Sequence, residues 1–341
     1  MPLKRANISD VAAQAGVSKT TVSHVINATR FVEEDTRQRV LQAITELGFR
    51  PNFLARSLTT QRTGIIGMVI SDSSNHFFGE TIHGVEEVLL PENYALLVCN
   101  TNETLEREAH YLDLLLSQRV DGIIAAATSQ RWVELTRAVV QHTPVVFVDR
   151  SFDELDGPYV GVDNCHGGYL GVRHLIDCGH RRIGALAGYD RLSTMRERLA
   201  GYRQALAEAG LPLREDWIIP SPLSIDGGRE ALRQLLALPD RPSAVFINNN
   251  LLSLGALLEL RASGLRCPDD VALAGFDDHP WAEVADPPLT VVRQPAHALG
   301  RTAAQILLAL IKQQPVESPR VILDCELVVR QSSRHGPTGL T

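Results

Sequence analysis

The 341-residue sequence holds no run of about 18 apolar residues, so no segment reads as a membrane-spanning helix. The first ten residues carry Lys4 and Arg5 but no apolar stretch behind them; this is no secretory signal, and the expected compartment is the cytoplasm. Cysteine is scarce: Cys99, Cys165, Cys178, Cys267 and Cys325 are odd in number, scattered and never spaced as CxxC. That argues against a disulfide framework or a zinc site and for reduced thiols. Motifs of common catalysts are also missing. There is no GxSxG, HExxH, GxGxxG, or GxxxxGK followed by Ser or Thr, and the eleven histidines show no ligand spacing. An α/β enzyme needs a nucleophile–base pair, a metal set or a phosphate loop, so the expectation is no enzyme, no metal and no cofactor.

Positive charge is short overall, with a net charge of −7, but it is unevenly placed. Residues 1–60 hold eight Lys/Arg against five acids, a net +3, which leaves −10 for the remainder. A basic head on an acidic body is the asymmetry expected when only the head meets phosphate. The length suggests two or three domains, and 44% hydrophobic with 21% charged residues describes an ordinary globular protein.

The head reads as a helix-turn-helix. Ser9 stands as N-cap of a short helix that ends at Gly16, where glycine can take the left-handed conformation. Val17 and Ser18 complete a tight turn, with Ser18 as the next N-cap. A second helix over Thr20–Asn27 places Val22, Val25 and Ile26 at i, i+3, i+4. A third, Glu34–Leu47, turns Val40, Ile44 and Leu47 inward and closes at Gly48. Two short helices joined by a glycine-containing turn define the motif. The opposite face of the second helix carries Lys19, Thr20, Thr21, Ser23, His24 and Asn27, groups suited to base edges and phosphates. A solvated helix face carries the same residue types.

The run Ile8-Ser9-Asp10-Val11-Ala12-x-x-Ala15-Gly16-Val17-Ser18-x-x-Thr21-Val22-Ser23-x-Val25-Ile26-Asn27 resembles the DNA-binding head of the lac and purine repressor family. The resemblance continues through Thr36-Arg37-x-Arg39-Val40 and Leu47-Gly48-Phe49-x-Pro51-Asn52-x-x-Ala55-Arg56-x-Leu58. It implies that Ser18, Lys19, Thr20, Thr21, His24 and Asn27 face the major groove and its phosphates. It also implies a hinge over Asn52–Thr60 that folds on operator DNA, with Asn52, Ala55, Arg56 and Leu58 as contacts. Leu58 would act as an apolar wedge between base steps, unstacking them in exchange for a kinked, better-wrapped duplex; a plain linker with Leu58 packed on the body is the alternative. His24 stands where the family usually carries Arg. His is shorter and mostly neutral at pH 7, which implies a different base preference.

Beyond residue 62 short apolar strands alternate with helices. Strands are read at 63–70, 94–99, 122–126 and 145–148, with helices at 79–90 and 106–118. The alternation restarts with helices at 168–178, 197–209 and 252–263 and strands at 183–187, 244–247 and 271–274. Continuous apolar strands between helices indicate parallel sheets covered on both faces. Two doubly wound lobes follow, and small ligands belong in the crevice outside the carboxyl ends of their strands. Polar residues cluster there: Asn75-His76-Phe77-Phe78, Asp149-Arg150, Asn249-Asn250 and Asp277-Asp278, with Arg198 near a helix start. Carboxylates, amides and guanidinium groups can bind vicinal hydroxyls, and aromatic rings can stack on a sugar's apolar face.

The body resembles the effector-binding core of the same family, itself related to periplasmic sugar-binding proteins. The residues that carry this are Asn75-x-Phe77-Phe78, Gly179-His180-Arg181-x-Ile183, Arg198-x-x-Gly201-Tyr202, Gly275-Phe276-Asp277-Asp278 and Pro288-Leu289-Thr290-x-x-x-Gln294-Pro295. The resemblance implies that Phe77 and Phe78 line the pocket, that Arg198 and Asp277 clamp the ligand, and that Asp149 and Asn249 add polar contacts. Leu223 falls where an aromatic commonly packs on the ligand, Asn250 replaces a usual Asp, and Trp281 is a candidate for the missing ring.

The expected architecture is an all-α helix-turn-helix head (1–51), a hinge helix or linker (52–61) and an α/β core of two doubly wound parallel-sheet lobes. The first lobe takes 62–162 with 293–323, the second 163–292 with 324–335, and 336–341 is a tail that frays from about Ser332. No leucine-rich heptad helix follows, so a homodimer on a near-palindromic operator is expected. The expected function is a repressor controlled by a sugar or sugar acid in the interlobe cleft. The alternatives are a nucleobase- or nucleoside-responsive regulator, or a solute-binding protein, which would share the body but lack the head.

Overall fold

The computed structural model describes residues 6–27, 30–49, 62–128, 132, 143–151 and 157–334. By its internal contacts the chain forms two units, Met1–Gly64 and Ile65–Thr341.

In the first unit three helices, α1 (Ile8–Ala15), α2 (Lys19–Asn27) and α3 (Glu34–Leu47), bury Val11, Ala12, Ala15, Val22, Val40 and Ala43 against one another. Asn7, rather than Ser9, caps α1. Its side chain accepts from the backbone N–H groups of Ser9 and Asp10, and the Asp10 carboxylate accepts from the Asn7 N–H at 2.9 Å. This reciprocal capping box satisfies donors that a helix start leaves open. Gly16 takes φ 66° and ends α1. Arg39 of α3 donates to the Ala15 carbonyl at 3.2 Å, tying the third helix to the end of the first.

The second unit contains two six-stranded sheets. The first runs in the order β2 (Ala95–Asn100), β1 (Ile65–Ile70), β3 (Gly122–Ala125), β4 (Val145–Val148), β5 (Tyr159–Val162), β11 (Arg320–Leu323). The second repeats that order as β7 (Ile218–Pro220), β6 (Ile183–Ala187), β8 (Ala244–Ile247), β9 (Ala272–Phe276), β10 (Thr290–Arg293), β12 (Glu326–Val328). Every described pairing is parallel except β12 on β10, which is antiparallel, so the second lobe departs from the purely parallel expectation at its edge. Alternate residues serve opposite faces. Met68 and Ile70 pack under α4 (His76–Leu89) and α11 (Ala296–Ile311), while Val69 packs with Leu112 and Leu115 of α5 (Leu105–Ser117). The second sheet is covered by α6 (Asn164–Asp177) and α7 (Ser193–Glu208) on one face, and by α8 (Ile225–Leu236), α9 (Asn250–Ala262) and the short α10 (Pro280–Val284) on the other. Helices α4 and α11 cross at glycine: a Cβ on Gly84 would stand 2.1 Å from the His297 carbonyl, and one on Gly300 2.0 Å from that of Thr81. The chain passes between the sheets three times, after β5, β10 and β11.

Several helices of the body begin two to four residues before the expected start, because polar side chains at the strand ends cap them. Asn75 accepts from Phe77 N–H, Asp163 from His166 N–H, and Asn249 from Leu251 and Leu252 N–H. The C-terminal segment is also better held than expected. Ser332 and Ser333 are fully buried; the Ser332 hydroxyl donates to the Leu273 carbonyl at 2.7 Å and accepts from Thr290 N–H at 2.8 Å. These bonds fix the segment to β9 and β10 rather than letting it fray. All five cysteines are free thiols.

Candidate DNA-reading helix and effector cleft

The burial of Val22 fixes the rotation of α2, so Lys19 and Thr20 stand exposed while Thr21, Ser23 and His24 are half-buried. The Ser18 hydroxyl accepts from Thr21 N–H at 3.0 Å and contacts the Thr21 hydroxyl at 2.9 Å. Both groups therefore hold the helix start, where orphan backbone donors need partners. Asn27 ends α2; its side chain, together with Asn52, Ala55, Arg56 and Leu58, lies outside the described residues.

In the body a cavity of about 360 Å³ opens at the carboxyl ends of the strands. This is the position where doubly wound sheets take ligands, and the size is that of a small-molecule site. Its walls include all six residues expected for an effector site: Phe77, Phe78, Asp149, Arg198, Asn249 and Asp277. Phe77 and Phe78 lie in the first turn of α4, not in a loop, and their rings meet edge to face at 5.1 Å. Asn249 lines the cavity while its Oδ1 caps α9. Asn250 is buried beside it and donates to Asn75 Oδ1 at 2.9 Å, linking the lobes. Leu223 is in the wall; Trp281 is not, and packs instead on the core of the second lobe. Glu103, Thr194, Met195 and Gln294 also line the cavity, and sequence reasoning missed their roles. Glu103 follows β2, so the rule that ligands sit at strand ends, applied to every strand, would have found it.

Arg198, 2% exposed, is held from all sides. Its Nε donates to Asn164 Oδ1 at 2.9 Å, its Nη1 donates to the Asn248 carbonyl at 2.7 Å, and its guanidinium lies 3.7 Å from the Phe276 ring centroid. Asp277 Oδ2 is 3.7 Å from Nη1, and Gln294 donates to the other Asp277 oxygen. Across the cavity, burial pushes the Asp149 carboxyl up to about 6, against the pull of Arg150 and Arg198 and with a further push from Asp277 and Glu103. Four buried polar atoms in or beside the cleft, Arg150 Nε, Asn248 Oδ1, Asn250 Oδ1 and Gln294 Oε1, have no hydrogen-bond partner among the described residues. Buried groups of this kind are ordinarily satisfied.

Residues 7–52 match the model of bacterial regulatory proteins of the lacI family, and residues 172–333 match that of a periplasmic binding protein-like domain. The HTH-type transcriptional repressor PurR of Photobacterium profundum is 40% identical over 96% of this chain and 98% of its own length. The chain belongs to the lacI family. This lacI-family protein is thus a DNA-binding transcriptional repressor and not an enzyme. Among solved structures it resembles the transcriptional regulator CelR in complex with cellobiose, with 34% identity, 96% of this chain and 100% of that one covered, and a TM-score of 0.73. The lac repressor dimer bound to operator and the anti-inducer ONPF gives 29% identity, coverage of 97% and 100%, and a TM-score of 0.88. Among the described residues of the repressor, no helix is long and apolar enough to cross a membrane.

Proposed function

We propose that this repressor reads a near-palindromic operator as a homodimer and is controlled by a neutral sugar held in the interlobe cleft. The observation that carries the effector class is an unsatisfied polar set among the described residues: Arg150 and Gln294 in the cavity wall leave a donor, Nε, and an acceptor, Oε1, without partners, and Asn248 Oδ1 and Asn250 Oδ1 are unpartnered next to the wall residue Asn249. A hydroxyl both donates and accepts, so a ring of hydroxyls answers such a mixed set. Phe77 and Phe78 offer a surface for the apolar face of the same ring. Charge narrows the class from sugar or sugar acid to neutral sugar. The cavity gathers four carboxylates, Asp72, Glu103, Asp149 and Asp277, against two guanidinium groups, Arg150 and Arg198. An anionic ligand would add to the excess. The related regulator solved with cellobiose supports this reading.

On the DNA side, Lys19, Thr20 and His24 select the half-site, with Ser18, Thr21 and Asn27 beside them on base edges and phosphates. Asn52, Ala55, Arg56 and Leu58 serve as the hinge that enters the minor groove. The lac repressor dimer on its operator supports the two-fold arrangement.

The 40% identity to PurR favours a second reading, a nucleobase or nucleoside effector. A flat base stacks best between two rings, and beside Phe77 and Phe78 the wall has Leu223 rather than a further ring. A melting screen against neutral aldoses and disaccharides, sugar acids, hypoxanthine and guanine separates the readings. A neutral sugar at 100 times its Kd should stabilise the body by about 2.7 kcal/mol. The same sugar should change affinity for the protein's own upstream DNA at fixed salt, since coupling between two sites is reciprocal. A response to hypoxanthine or guanine alone would sink the sugar reading.

A further inference from the structure

An arginine in a ligand cleft ordinarily serves as a clamp for carboxylate or phosphate, because its planar fork matches two oxygens. Arg150 is 5% exposed and lies in the cavity wall, yet its fork is already occupied. Nη1 donates to Glu103 Oε2 at 2.8 Å, and Nη2 donates to Glu103 Oε1 at 2.5 Å and to the Ser71 hydroxyl at 3.5 Å. The backbone is bent to deliver this carboxylate. Asn102 and Glu103 take φ 49° and 58°, two successive left-handed residues that are not glycine. The Asn102 N–H donates to the Ser71 carbonyl at 2.7 Å and holds the bend against the end of β1. Such conformations persist only where the surroundings impose them, and they concentrate at functional sites. Of the five N–H groups of Arg150 only two are left, the second on Nη1 and the one on Nε, which is 3.6 Å from Asp149 Oδ2. Arg198 faces a looser counter-charge, Asp277 Oδ2 at 3.7 Å from its Nη1, with no hydrogen bond between them.

From this geometry we infer that Glu103 is a specificity-determining residue: by occupying the Arg150 fork it cancels the charge there, bars anionic sugars from the cleft and leaves Arg150 only its outlying N–H groups to donate to a neutral hydroxyl. The inference rests on the sugar reading above. Glu103 makes the difference because Asp149 faces only the side of the guanidinium. With Glu103 uncharged, the fork opens toward the cavity and becomes a carboxylate receptor.

The test compares matched probes, glucose with gluconate, galactose with galactonate, ribose with ribonate and xylose with xylonate, by calorimetry and melting of the full chain. In the parent, at least one aldose should bind and its aldonate should bind about tenfold or more weaker. In Glu103→Gln the aldose-to-aldonate ratio should fall by about tenfold, while Glu103→Asp, which keeps the charge, should retain the parent's preference. An aldonate that binds the parent as tightly as its aldose overturns the inference without any variant, as does an unchanged ratio in a folded Glu103→Gln chain. Equal loss of both sugars in that variant also overturns it and makes Glu103 only an anchor. If no aldose binds the parent, or only hypoxanthine or guanine does, the sugar reading falls and takes this inference with it; retained aldose binding with an unchanged ratio removes Glu103's role alone.

Discussion

The two lobes place an aspartate at the same point of the same topology and support it in opposite ways. Asp149 follows β4 and Asp277 follows β9, the fourth strand of each lobe, and both take a left-handed backbone, φ 64° and 72°. Aspartate tolerates that region better than most residues, and each bend turns a carboxyl into the cleft. Asp277 then receives an amide N–H from Gln294 and lies beside Arg198. Asp149 has the flank of Arg150, whose fork is spent on Glu103, and the more distant pull of Arg198, so burial prevails and its carboxyl rises to about 6. The same backbone device thus yields one carboxyl anchored by an amide and a guanidinium, and one that burial makes reluctant to ionise. Partners, not position, decide what a buried acid does.

Removing the cation between them should have the largest effect. Arg198→Met leaves Asp277 buried without its partner and should cost about 3–5 kcal/mol in denaturant unfolding of the body. Asp277→Asn should cost less, roughly 1–3 kcal/mol, by leaving Arg198 without a carboxylate, and should weaken effector binding as well. Asp149→Asn should go the other way. Because the folded carboxyl titrates at about 6 and its ordinary value is 3.8, the unfolded chain ionises first as pH rises between the two. The native state loses stability over that interval, by up to about 3 kcal/mol once pH is above 6, and nothing below 3.8, where both states are protonated. The variant should therefore be more stable than the parent at about pH 8 and equal to it near pH 3.5. Melting curves at the two pH values check this, and a parent less stable at low pH in this window would refute the assignment. The smallest effect belongs to the lobe-to-lobe hydrogen bond: Asn250→Ala should cost about 1 kcal/mol and shift apparent effector affinity by less than about tenfold.

Much of this was legible in the sequence, for identifiable reasons. Val22, Val25 and Ile26 at helical spacing located the reading helix, and Gly16 located its turn, because both signals are local. Apolar strand runs such as Val145–Val148 were readable because buried parallel strands have no polar face. Helix starts were read late, since Asn75, Asp163 and Asn249 look like loop residues until their side chains are seen capping the next turn. The pairing of Arg150 with Glu103 spans 47 positions and belongs to no local pattern. Trp281 misled for the same reason: a ring near Asp277 in sequence can point into a different core.

The three passages between the sheets have a consequence for how the molecule is made. Neither lobe is a continuous stretch of chain: the first sheet takes its last strand from Arg320–Leu323, and the second takes its last from Glu326–Val328. The described helices of the head end at Leu47, so during synthesis they can fold as soon as they leave the ribosome, as amino-terminal units generally do. Both lobes must wait for the final strands, and such non-local pairings are slow to form. A nascent chain therefore carries a folded helix-turn-helix before it has a sensor, and the sensor's two halves are completed almost together.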